Sequence, residues 1–202
     1  MEALDSLHLR AKDLDELKPK ERRQKIRRMR QKGQSKIIKG IPYYDIDHYK
    51  ERVKIPEKYS KARNFRKAQK RVDAMVEELA KKYHEPEYKV WVNPATGRGA
   101  DIVVEKRDTS SSKYKPYEVY ELTNYTKDGY ISEKDMERYV ETLKQFNCKR
   151  KLIVSYEENL YNKKTKTDYR KLLRENRIEV EVKGEIPLED EEEGYSLWQE
   201  DT

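Results

Sequence analysis

Apolar side chains in this chain are gathered into a few periodic segments between residues 59 and 182, and the flanks are dominated by charge. That segregation constrains the fold more than any other feature. With 35% hydrophobic and 42% charged residues, the apolar share is low for a globular chain. The 202 residues therefore suit one core built from those segments, with appendages, better than two full domains.

The periodic segments read in order. Phe65, Ala68, Val72, Val76, Leu79 and Tyr83 recur at helical spacing and predict a long amphipathic helix that ends near His84, because Pro86 prevents its continuation. Residues 88–92 alternate as a strand and close at Asn93-Pro94. After a loop holding Gly97, Arg98 and Gly99, residues 101–106 form a second strand through Ile102, Val103 and Val104. A polar turn at 108–112 leads to a third strand over 117–125, rich in Tyr, Val and Thr. A second helix is expected over 132–146, with Ser132 as N-cap, Asp135 at the capping-box position, and Met136, Tyr139, Val140 and Leu143 on its apolar face. A strand at 151–156, a helix at 168–176 and a strand at 178–182 follow. Consecutive strands favour an antiparallel meander, whereas each strand–helix–strand unit requires parallel pairing. The expectation is an α/β domain over 57–184: a mixed central β-sheet flanked by helices.

The flanks are of two kinds. Between Lys18 and Lys36 the only acid is Glu21, among Arg22, Arg23, Arg27, Arg28, Arg30 and several lysines. Pro19 and Gly33 bracket a basic helix there, and the Tyr-rich stretch 37–56 (Tyr43, Tyr44, Tyr49) reads as an arm or connector, so that 1–56 is a basic appendage. Residues 185–202 form an acidic tail, solvated by default. The net charge of +7 is thus segregated. A basic block on a mixed body points to a polyanion, nucleic acid first, and the alternative is a solvated thermostable surface. No zinc-finger, basic-zipper or RNA-recognition motif is visible, so contacts to the phosphate backbone without base readout are expected. The tyrosines of the arm either stack on unpaired bases or pack on the domain.

One cysteine, Cys148, excludes a disulfide framework and a cysteine zinc site, and His8, His48 and His84 lack ligand spacing. No long apolar run suggests a membrane span or a signal peptide, and the expected location is intracellular.

Two acids carry the candidate chemistry. On the second strand Asp101, Val103 and Glu105 share a face, and on the third Tyr117, Val119, Glu121 and Thr123 do. In an antiparallel hairpin Asp101 falls beside Glu121 and Thr123. Two adjacent carboxylates repel unless a cation joins them, and hard oxygen donors select Mg²⁺ or Mn²⁺. Such a pair can activate water against a phosphodiester. The alternative is a pair of strand-end acids salt-bridged to nearby lysines.

The run from Gly97 through Asp101 to Val104, followed by Glu118-Val119-Tyr120-Glu121-Leu122-Thr123, resembles the PD-(D/E)XK nuclease superfamily, which includes restriction enzymes and archaeal Holliday-junction resolvases. The order helix, three strands, helix, strand over residues 59–156 is similar to that family's core and covers about half of the chain. The resemblance implies a Mg²⁺- or Mn²⁺-dependent endonuclease acting on branched or junction DNA, working as a homodimer without a small-molecule cofactor. It assigns Asp101 and Glu121 as metal ligands, with the carbonyl of Leu122 as a third. Asp73 or Glu77 would be the family's acid on the first helix. The family's lysine falls at Thr123, which has no charge to offer. Either a lysine reaches the site from elsewhere (Lys127, Lys149 and Lys151 are the candidates), or the fold has become a catalytically silent DNA-binding module. Arg98 and Lys106 flank the acids as phosphate contacts or as plain surface charges. Glu137, Arg138 and Tyr139 lie on the second helix, where related nucleases place polar and tyrosine side chains, although core packing is the favoured reading of Tyr139. The basic arm would suit RNA equally well.

Overall fold

The computed structural model describes residues 33–52, 63–93, 99–123 and 129–183. They form a seven-stranded mixed sheet covered by helices on both faces. Strand β1 (Ser35–Ile38) opens it and β2 (Ile41–Asp45) follows. Helix α1 (Ile46–Arg52) and the long helix α2 (Arg63–Lys82) come next. Then come β3 (Tyr88–Val92), β4 (Ile102–Arg107), β5 (Tyr114–Leu122), α3 (Glu133–Lys144) and β6 (Arg150–Ser155). A short 3₁₀ turn (Glu157–Leu160) and a small hairpin, β7 (Tyr161–Asn162) and β8 (Thr167–Asp168), precede α4 (Tyr169–Glu175) and β9 (Glu179–Val182).

The sheet order is β1-β2-β3-β4-β5-β6-β9. The first five strands are an antiparallel meander, and β5, β6 and β9 run parallel with α3 and α4 as their crossovers. This is the mixed sheet that the segment order demands. Side-chain alternation sorts the core into two layers. Trp91, Val103, Val119 and Ile153 face α3 and α4, where Met136, Tyr139, Val140, Leu143 and Leu173 pack. Val90, Val92, Ile102, Val104, Tyr120, Leu122, Leu152 and Val154 face α2, where Val72, Met75, Val76 and Leu79 pack. Strands buried on both faces read as continuous apolar runs, as β4 and β6 do.

The stretch expected to be an arm or connector is instead built into the sheet. Lys39 and Gly40 both have positive φ (51° and 81°) and close a two-residue hairpin turn between Ile38 and Ile41. Pro42 lies where β2 is paired on the β1 side only, since pairing with β3 begins at Tyr44. Asp45 caps α1 by accepting the backbone N–H of His48 at 2.8 Å. Tyr43, Tyr44 and Tyr49 are all buried, so they pack on the domain and are closed to bases. The boundary at residue 56 therefore separates nothing in the sheet.

Expected limits shift slightly elsewhere. β5 begins at Tyr114 and ends at Leu122, three residues earlier at each end than its sequence suggests. Ser132 caps α3 as expected, accepting the Asp135 N–H at 3.1 Å. The β4–β5 ladder holds a bulge: Val104 opposes Glu118 while Glu105 opposes Pro116, so Tyr117 is the extra residue.

Candidate metal centre

The site is assembled where β4 begins and β5 ends. Ile102 pairs with Tyr120 in the antiparallel register, so Asp101 and Glu121 follow as neighbours across the ladder. The Asp101 N–H bonds the Tyr120 carbonyl at 2.9 Å. The Asp101 Oδ2 in turn accepts the N–H of Leu122 at 2.7 Å. Both acids share the parity of Val103 and Val119, which directs them to the α3 side of the sheet. Each carboxyl perturbs the titration of the other.

Electrostatics follow from that placement. Burial pushes the Asp101 carboxyl up to about 6, against the opposing effects of the Leu122 N–H, the Glu121 contact and the Arg138 charge. Burial and then the charge of Asp101 push Glu121 well above the ordinary carboxylate range, with Arg138 again opposing. The pair therefore retains a proton under conditions in which exposed carboxylates have lost theirs.

Two further side chains are coupled to the acids by charge. Tyr43, fully buried on β2, donates its hydroxyl to the Ala100 carbonyl at 2.7 Å. Burial first, and then the charges of Glu121 and Asp101, raise its own value. Arg138 projects from the second turn of α3, ion-paired to Asp135 at 3.2 Å with its guanidinium 5.0 Å from the Tyr139 ring. It is the cation whose field reaches both acids. Sequence reasoning missed Tyr43, because the hairpin that brings it was read as a connector. It named Arg138 without a role, since only the crossover geometry sets that helix over the acids.

The other candidates disperse. Asp73 and Glu77 are exposed on α2, across the sheet from the acid pair, and Asp73 accepts the Tyr49 hydroxyl at 2.9 Å. No helix acid joins the site by this route, because the acids and α2 occupy opposite faces. Thr123 is fully buried, and its hydroxyl donates to Ser155 Oγ at 3.0 Å. The Arg71 guanidinium bonds its carbonyl and stacks 4.5 Å from the Tyr156 ring. Lys149 bonds the Tyr117 hydroxyl at 3.1 Å, near the opposite end of β5. Lys151 shares the face of Glu121 but lies opposite Val119, two residues back. Burial raises the Cys148 thiol there, and Lys151 opposes that rise. Lys106 pairs with Glu87 at 3.2 Å and lies over the Tyr88 and Tyr117 rings. Five residues along β4 from Asp101, it is roughly 16 Å distant at strand spacing. Tyr139 is buried in the α3 layer, in agreement with its reading as core. Arg22, Arg23, Arg27, Arg28, Arg30, Arg98, Lys127 and the acidic tail lie outside the described residues.

Two carboxylates fit a hard cation well enough. Mg²⁺ is usually held by one or two carboxylates and completed by water and phosphate oxygens, so a cluster of three or more ligating side chains, which the described residues lack, is not required. No helix among those residues is long and apolar enough to cross a membrane. The chain matches no family model, no curated protein and no solved structure.

Proposed function

We propose that this chain is a metal-dependent endonuclease that hydrolyses phosphodiester bonds of branched or junction DNA. The observation that supports the reading is the neighbouring pair of half-buried Asp101 and buried Glu121 on adjacent strands, with each carboxyl raised by desolvation and opposed by Arg138. Burial of two acids in contact costs stability, and the cost is reasonable where a divalent ion is to be held. When bound by Asp101, Glu121 and the Leu122 carbonyl, Mg²⁺ or Mn²⁺ would polarise the phosphate and lower the pKa of a coordinated water.

The remaining roles belong to the chain. The Leu122 N–H fixes one oxygen of Asp101 and leaves its other oxygen for the ion. Glu121, next to Asp101 across the ladder, would give the ion its second carboxylate. Arg138 replaces the charge of the absent motif lysine and faces the phosphate from the α3 side.

The test is cleavage of labelled junction, flap and duplex DNA by full-length protein with Mg²⁺, Mn²⁺ or EDTA. Metal-dependent products that disappear in Asp101→Ala and Glu121→Ala support the reading, and undiminished cutting by both variants removes the site. The second reading, a silent DNA-binding module, is favoured by the engagement of Thr123 with Ser155 where an ammonium is expected. Binding without products under any metal condition would select it.

A further inference from the structure

The small hairpin after β6 carries concentrated positive charge. Residues 161–167 hold Lys163, Lys164 and Lys166 and no acid. All three are exposed, and none has an ion-pair partner among the described residues. At its base Glu157 and Asp168 are both engaged by Arg170, and Glu133 accepts the Thr167 hydroxyl at 2.9 Å, so the nearby acids are held at the base of the hairpin by other groups and not by the three lysines.

The hairpin is also well anchored. Asn162 is buried; its Oδ1 accepts the N–H of Lys164 at 3.0 Å and of Thr165 at 3.2 Å, and its Nδ2 donates to the Ile131 carbonyl at 3.1 Å. Asn159 donates to the Gly129 carbonyl at 2.8 Å, and the Tyr169 hydroxyl joins at Ile131. These bonds fix the hairpin on the 129–131 segment, which carries Tyr130. Tyr130 and Tyr161 are each 40% exposed.

The location connects this surface to the acid pair. The 129–131 segment leads into α3, the helix that presents Arg138, and the hairpin follows the end of β6, whose Ile153 pairs with Glu121. Hairpin and acids therefore share the edge formed by the carboxyl ends of β5 and β6, the edge at which open α/β sheets bind ligands.

We infer that the 161–168 hairpin and Tyr130 form a DNA-docking surface, with the three lysines on backbone phosphates and the two tyrosines stacked on unpaired bases beside the cleavage site. The inference rests on the nuclease reading and adds to it where the DNA lies and why an unpaired region is preferred.

Binding of labelled single-stranded and duplex DNA by full-length protein in EDTA, followed by fluorescence anisotropy across a salt series, tests this apart from catalysis. Lys163→Glu, Lys164→Glu and Lys166→Glu together should weaken binding on the order of 10-fold near 0.1 M salt, and flatten the log–log salt slope by about 0.7–0.9 per lost phosphate contact. Charge reversal at Lys81 and Lys113, exposed residues near the other end of the sheet, should leave the slope in place. Tyr130→Ala with Tyr161→Ala should weaken single-strand binding roughly 5-fold or more and duplex binding less. Wild-type binding that the lysine variant reproduces in strength and slope would overturn the hairpin surface while leaving the nuclease reading intact. Wild-type protein that binds neither DNA would overturn both, and a preference for matched RNA over DNA would overturn the assignment of DNA as partner.

Discussion

Asp101 and Glu121 stand side by side where the β4–β5 ladder ends, with Asp101 pinned by the Leu122 N–H at 2.7 Å. Burial raises Asp101 to about 6 and Glu121 well above its usual range. A carboxyl raised in the folded state binds more protons folded than unfolded between the two values, so its stabilising effect is present at low pH and is lost as pH rises through the folded value. Metal-free protein should accordingly lose stability between about pH 4 and pH 7 relative to Asp101→Asn, by on the order of 2 kcal/mol at neutral pH. Calorimetry of the two proteins across that range measures it. Millimolar Mg²⁺ should raise the wild-type Tm at neutral pH and leave the variant nearly unmoved. A pH-independent difference between them would rule out the shared proton.

Arg138 opposes the rise of both acids, so its removal should be felt in titration as well as in rate. Arg138→Ala should slow single-turnover cleavage about 100-fold, the usual cost of one charge-stabilising group. The same change should move the rising limb of the pH–rate profile to higher pH, because both carboxyls then hold their protons more tightly. Arg138→Lys should restore the profile and part of the rate, since charge returns without the guanidinium fork. A slower enzyme with an unmoved profile would mean that Arg138 acts only by packing.

Gly99 links the β1–β2 hairpin to the site. Its φ of +75° suits glycine, and a Cβ there would meet Ile41 Cδ1 at 2.4 Å and the Tyr43 hydroxyl at 3.1 Å. Gly99→Ala should destabilise the fold by roughly 1–3 kcal/mol. It should also lower the apparent affinity for Mg²⁺ by shifting the start of β4 and with it Asp101. Metal titration monitored by Tm checks both effects at once, and an unchanged midpoint would disconnect the hairpin from the site.

The sequence made the central part of this architecture legible and left its margins obscure, for physical reasons. From α2 to β9 the apolar period and the spacing of turn residues agree, and the eight expected elements form within a few residues of their limits, while the two-residue strands β7 and β8 are too short to show a period. The hairpin β1–β2 was hidden because Gly40 and Pro42 resemble breakers when their partners are unknown; in the sheet one supplies the turn and the other falls where β2 lacks a second neighbour. The Asp101–Glu121 contact was predictable because alternation and antiparallel register suffice to place two residues side by side. Which helix covers which face is not in the alternation. Asp73 and Glu77 were consequently expected near the acids and lie across the sheet from them, whereas Arg138 stood unassigned.

Glu118 provides a contrast on the same strand with Glu121, the acid proposed to hold the ion. It is buried three residues from Glu121 but faces α2, and Tyr120 donates its hydroxyl to it while Arg150 bonds it at 3.0 Å and Lys82 approaches to 3.6 Å. Burial alone would raise its carboxyl, yet these donors outweigh burial and hold it below the ordinary value. The sign of its linkage is thus opposite to that of Glu121: its stabilising effect is present above the unfolded value and is lost as pH falls through the folded one. Glu118→Gln should cost roughly 2–4 kcal/mol at pH 7, because the Tyr and Arg donors lose a charged acceptor, and the cost should shrink towards pH 3. Cleavage per folded molecule should be unaffected, since Glu118 lies on the sheet face away from Asp101. Urea titrations at pH 7 and pH 3 read the first effect. A cleavage assay normalised to folded protein reads the second, and a specific loss of activity there would show that the two faces of β5 are not independent.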